Sequence, residues 1–99
     1  MSTTDQPVIE VAVYTVHDAA EGRRARDAAY GHMRDTPGFI SWDRLVSADE
    51  PAHFVDVVHW RNHEAAQAAS ELVRTDARFT PFVASIDKII SFHHYDRQG

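Results

Sequence analysis

The chain contains no cysteine, which excludes a disulfide framework, a thiolate metal site and a cysteine nucleophile. Glycine is sparse, with four in the whole chain. No glycine-rich phosphate loop and no G-x-S-x-G elbow occurs, so nucleotide binding and serine acyl transfer lack support. Positive charge is scarce as well. Ten Lys and Arg stand against fifteen Asp and Glu, a formal net charge of -5, whereas a nucleic-acid binder needs a basic surface. The one local basic cluster, Arg23, Arg24 and Arg26, is interleaved with acids and reads as a solvated helix face. No apolar run approaches the roughly 20 residues that span a bilayer. The polar opening MSTTDQP lacks the basic and apolar regions of a secretory signal. The expectation is a cytoplasmic protein with neither nucleic acid nor membrane as partner.

What is present is one domain's worth of apolar patterning: 99 residues, 43% of them hydrophobic, enough for a single modest core. Residues 1–7 read as a disordered lead-in ended by Pro7, residues 8–95 as the domain, and residues 96–99 as a tail. Val8 to Val16 is β-branched and apolar with only Glu10 charged, a strand buried on both faces. Asp18-x-x-Glu21 matches a capping box. It opens a helix running to about Asp35, with Ala25, Ala28, Ala29, His32, Met33 and Thr36 on one face. Pro37-Gly38 ends it. Phe39 to Ser47 alternates as a second strand, with Ile40, Trp42, Arg44 and Val46 on one side and Phe39, Ser41, Asp43 and Leu45 on the other. A turn of about five residues over Ala48 to Ala52 leads to a third strand, His53 to Trp60. Asn62 can cap the next helix, whose apolar stripe is Ala65, Ala66, Ala68, Ala69, Leu72 and Val73. Asp76 to Val83 contains Pro81 and reads as irregular or a short helical turn. Ile86 to Tyr95 is a fourth strand.

The order β-α-β-β-α-β is that of an α+β, ferredoxin-like fold: an antiparallel four-stranded sheet with two helices on one face. The strands carry apolar residues on both faces, Val55 and Val57 against Phe54 and Val58, for example. A sheet wet on one side alternates more cleanly. The bare face therefore calls for a second layer, most simply a second copy of the chain, and a homodimer packed sheet to sheet is expected.

Several residues invite chemistry. Asp56 lies mid-strand on the side of Phe54, Val58 and Trp60, where a carboxylate needs a partner or its pKa rises. Arg44 on the neighbouring strand offers a cross-strand ion pair; the alternative is a raised-pKa base beside Trp60. His32 on the apolar stripe of the first helix is either a core-edge histidine bonded to backbone or a base working near neutral pH. Tyr14 presents a hydroxyl to the same region or simply packs. The seven histidines do not make a metal site: His59 and His63 straddle a strand-to-helix joint, His93 and His94 point to opposite faces of a strand, and zinc needs three or four converging ligands.

Taken in order, the Pro37-Gly38-Phe39 turn, the strand ending in Trp60 and the Trp60-x-Asn62-x-Glu64-Ala65 entry into the second helix resemble the dimeric α+β barrel superfamily, and within it the antibiotic-biosynthesis-monooxygenase-like domains, over residues 8–95. The resemblance implies a homodimer and a cavity between sheet and helices lined by Trp60. It also implies cofactor-independent monooxygenase chemistry on a small aromatic compound, a phenol or polyketide. In that frame His32 or Asp56 is the catalytic base, Tyr14, Trp60 and Phe82 line the ligand pocket, and Arg44 stabilises an anion there. Haem-degrading relatives use a histidine on the second helix, and this chain has none there after His63. The rival reading is a non-catalytic dimeric ligand-binding domain, with Trp60, Phe79 and Phe82 filling the space.

Overall fold

The computed structural model describes residues 6–99. The lead-in expected over 1–7 therefore lies outside the described residues except for Gln6 and Pro7. The elements run β1 (Val8–Val16), α1 (Ala19–Met33), β2 (Phe39–Val46), β3 (His53–Trp60), α2 (His63–Thr75), a single 3-10 turn (Ala77–Phe79), α3 (Thr80–Ser85) and β4 (Ile86–Asp96). This is the β-α-β-β-α-β order with a third short helix added. All four strands join one antiparallel sheet in the spatial order β2-β3-β1-β4. The two strands richest in β-branched residues, β1 and β3, form its centre, where both neighbours supply backbone partners.

Local chemistry sets the helix ends. Asp18 accepts the Glu21 backbone N–H at 3.1 Å, and Asn62 accepts that of Ala65 at 2.8 Å; each side chain satisfies a donor that the first helical turn leaves free. Pro81 falls in the first turn of α3, where its missing N–H costs nothing. Of the two readings of this segment, irregular or a short helical turn, the helical one holds, with the proline in its first turn. Gly38 adopts φ +83°, and a Cβ there would sit 2.4 Å from Ala65 Cβ. The turn therefore needs glycine both for its left-handed backbone and for the close approach of α2.

The helices cover one sheet face. In β3 every second residue, Phe54, Asp56, Val58 and Trp60, is buried, the period-2 signature of a strand with one face inward. Val8, Met33, Trp42, Trp60, Ala66, Ala69 and Phe79 belong to one continuous core, with Tyr14, Val16 and Phe54 beside it. Burying each of the largest, Trp60, Phe54 and Phe79, contributes roughly 1.5–3 kcal/mol.

Three expectations need correction. The buried stripe of α1 is Gly22, Arg26, Ala29 and Met33, at spacings of four, three and four. It is rotated from the alanine stripe read in the sequence, and Ala28 is exposed. The rotation takes Arg26 out of the solvated basic cluster and into the core, 4% exposed. In β2 a register shift between Phe39 and Ser41 places Phe39 opposite Trp60. Ile40 is thrown outward at 57% exposure, so strict alternation fails at the bulge.

Candidate functional site

A cavity of about 350 Å³ lies between the sheet and the three helices, inside the roughly 300–1,000 Å³ range of small-molecule sites. Its floor is the inward face of the sheet: Glu10, Ala12 and Tyr14 of β1, Trp42 of β2, Asp56, Val58 and Trp60 of β3. Its roof is Ala29 and Met33 of α1, Ala69, Val73 and Arg74 of α2, Phe79, and Phe82 and Val83 of α3. Ile89 and Phe92 of β4 also line it yet are among the exposed large hydrophobics, as is Val83. The open side therefore lies between β4 and the last short helix.

One end of the cavity is a closed polar network. Asp56 receives the Tyr14 hydroxyl at 2.6 Å on Oδ2 and Arg26 Nη1 at 3.1 Å on Oδ1. Arg26 also donates to the Leu45 carbonyl at 3.0 Å and lies 4.0 Å over the Phe54 ring. Burial raises the Asp56 pKa on balance, against a smaller downward pull from the Tyr14 hydroxyl, Trp42 and Arg26. Burial, then the adjacent carboxylate, raises the Tyr14 pKa, keeping the phenol protonated as a donor. The Trp42 indole nitrogen, though close enough to influence Asp56, makes no hydrogen bond of proper geometry among the described residues. It is a buried donor on the cavity wall with no fixed acceptor.

The other end holds a different carboxyl. Trp60 Nε1–H donates to Glu10 Oε1 at 3.1 Å, and His94 Nε2 stands 3.5 Å from the same oxygen. Burial pushes the Glu10 pKa up to about 7, against the opposing pull of the Trp60 hydrogen bond, with Asp56 adding a smaller upward push. Burial and the neighbouring His63 lower the His94 pKa.

Of the residues singled out in the sequence, Tyr14, Asp56, Trp60 and Phe82 meet at this cavity. Tyr14 and Phe82 pack edge to face, with ring centres 6.2 Å apart. Arg44 does not pair with Asp56, although the two are register partners. It reaches outward, stacking 4.0 Å over Tyr30 and meeting Asp27 at 3.2 Å, and the buried partner of Asp56 is Arg26. His32 is half-buried with its ring edge-on to Phe79 at 5.9 Å, behind the roof and not among the cavity-lining residues. Among the described residues no three His, Asp or Glu side chains converge as a metal would require. No helix among the described residues is long and apolar enough to cross a membrane.

Sequence reasoning missed Glu10, Arg26 and Trp42. A signal for Glu10 existed: it is the lone charge of an apolar strand, at the same parity as Ala12 and Tyr14. For Arg26 the signal was its i+4 and i−3 relation to Gly22 and Ala29. Trp42 was placed on the side of Arg44 without any reason to bring it to the cavity.

No family model matches the chain, and no curated protein is similar to it in sequence. Solved structures are similar in fold. SnoaB, a cofactor-independent oxygenase from Streptomyces nogalater, superposes with a TM-score of 0.82 at 20% identity over 95% of both chains. A candidate antibiotic biosynthesis monooxygenase from Nitrosomonas europaea does so with a TM-score of 0.77 at 16% identity, over 98% of this chain and 95% of its own. A protein from Pseudomonas aeruginosa gives 0.77 at 17% identity, over 99% of this chain and 100% of its own. At these identities the likeness is one of architecture: from β1 to β4 the chain has the antibiotic-biosynthesis-monooxygenase-like, ferredoxin-type α+β fold.

Proposed function

We propose that the protein is a cofactor-independent monooxygenase acting on a small phenolic or polycyclic aromatic compound held in the cavity. The observation that carries this reading is the cavity itself. Trp42, Trp60, Phe79 and Phe82 wall it, it is apolar over most of its surface, and its few polar side chains are Glu10, Tyr14 and Asp56 from the sheet and Ser70 and Arg74 from α2. Flat aromatic walls suit a flat aromatic ligand. SnoaB, a cofactor-independent oxygenase by name, shares the fold.

The chemistry requires little of the protein. An anthrone-type substrate loses a proton to a base, and its electron-rich anion passes one electron to dioxygen. The substrate radical and superoxide combine at carbon, and loss of water from the peroxide leaves a carbonyl. In sum CH2 and O2 become C=O and H2O, with all electrons supplied by the substrate. The chain's task is to exclude water, orient the ring against Trp60 and stabilise the anion through preorganised donors. Trp42, a buried N–H without a fixed acceptor, suits a developing oxyanion. Asp56 holds Tyr14 and Arg26 in place at the far end.

The assembly is part of the proposal. The sheet face away from the helices carries Val11, Val13, Val55 and Val57 in register, flanked by exposed Leu45 and Tyr95. A two-fold pairing of that face with itself in a second copy would cover it. Sedimentation at micromolar concentration should show twice the 11.2 kDa chain mass; a lone monomer would remove the dimer from the proposal.

The second reading, a non-catalytic ligand-binding domain, is favoured by one observation: Asp56 is saturated by its own partners and resembles a structural network more than a reactive group. Oxygen uptake with an anthrone, compared between the protein and its Trp60→Phe and Trp60→Ala variants, separates the two. Uptake well above buffer that falls in both variants supports the oxygenase. Uptake equal in all three, or equal to buffer, sinks it.

A further inference from the structure

We infer that Glu10 is the proton acceptor of this cavity, and that His94 and His63 form the line by which the proton leaves it. The inference deepens the proposed function and rests on it.

Glu10 lines the cavity, and among the described residues its carboxyl meets two side chains, both on Oε1: the Trp60 N–H at 3.1 Å and His94 Nε2 at 3.5 Å. That leaves Oε2 for a ligand. Trp60 thus has two functions at once, since the indole that walls the pocket also fixes the carboxyl beside it. His94 Nε2 is buried and makes no proper hydrogen bond among the described residues, so it is near the carboxyl without being locked to it. Beyond it the His63 ring lies 6.1 Å away. His63 is more than half exposed and 3.3 Å from Asp96. The line therefore runs from cavity to solvent through two imidazoles, each able to take a proton on one nitrogen and give it up from the other.

Asp56 has no such exit. Its two oxygens are engaged by Tyr14 and Arg26, both buried, and a guanidinium accepts no proton at working pH. The other charged group at the cavity, Arg74 of α2, is ion-paired with Glu71. Burial brings the Glu10 pKa close to neutrality, where a general base is most effective. The step is a proton transfer alone. The substrate C–H bond breaks, its electron pair stays on the ring as the anthrolate, an O–H bond forms on Glu10, and His94 then takes that proton. Glu10 is the catalytic residue here, while His94 acts through it.

The test isolates this step from oxygen. Under argon, the loss of deuterium to water from an anthrone labelled at its acidic carbon is followed by mass spectrometry across pH 5–9, with binding measured separately. The protein should accelerate exchange, with a rate that rises to a plateau above about pH 7. Glu10→Gln, which keeps an acceptor for Trp60, should bind the anthrone but lose exchange by roughly 10²–10⁴-fold. His94→Asn should leave affinity unchanged and alter the shape of the pH profile. Exchange that is equal in the protein and Glu10→Gln, or absent from both despite binding, overturns the role of Glu10 and leaves the aromatic pocket standing. Failure of the unaltered protein to bind the anthrone overturns the pocket reading, and the role of Glu10 with it.

Discussion

The two ends of the cavity carry the same functional group in opposite circumstances. Asp56 sits among fixed donors and a buried cation that work against the upward push of burial on its pKa, although the net shift is still upward. Glu10 has one indole N–H and a loosely placed imidazole, so its charge is only partly matched and its pKa climbs to about 7. Burial alone does not make a carboxyl reactive; burial with too few donors does. The difference also separates roles, with one carboxyl organising structure and the other left free to exchange a proton.

Removing the cation is the hardest test of that contrast. Arg26→Met strands a buried carboxylate and should cost about 3–5 kcal/mol in denaturant unfolding. A loss below ~1 kcal/mol would mean that Asp56 never depended on its partner. The pH dependence tests the other end. Because the Glu10 pKa is near 7 folded against 4.5 as a model group, the folded state holds a proton there that the unfolded chain has released. This contribution is fully present below about pH 4.5 and disappears as pH rises through 7. It amounts to at most about 3 kcal/mol. Glu10→Gln should flatten that part of the curve and be more stable than the parent at pH 8. Identical pH profiles for the two would contradict a raised pKa.

Tyr14→Phe deletes one charged-acceptor hydrogen bond at the organised end and should cost about 1.5–3 kcal/mol, read from the same unfolding curves. The smallest effect belongs to the other arginine. Arg44 is exposed and pairs with exposed Asp27, so Arg44→Met should cost under ~1 kcal/mol. If the two arginine variants proved equally damaging, the distinction between buried network and surface pair would fail.

Much of the fold was legible because its signals are local. The caps at Asp18 and Asn62, the Pro37-Gly38 stop and the period-2 burial of β3 each act within a few residues. Where the reading slipped, local pattern was ambiguous. An alanine-rich helix offers several stripes of similar apolarity, and the arginine at position 26 looked like its neighbours Arg23 and Arg24. A β-bulge leaves no mark in composition, so Phe39 and Ile40 were assigned to the wrong sides. The site was only partly visible: strand parity put Asp56 on the side of Trp60, the pocket roles of Trp60, Tyr14 and Phe82 came from the family resemblance, and nothing in the spacing of Arg44 showed that it would bend away.

The sequence by itself determined the order of elements, their caps and the inward face of the central strands, since those follow from propensity and periodicity within a few residues. Only the tertiary structure decided which charges meet. Arg26 and Asp56 are 30 residues apart, and Glu10 and Trp60 are 50 apart. The helix rotation and strand register that join them are fixed by packing of the whole core, a collective outcome that no single segment encodes.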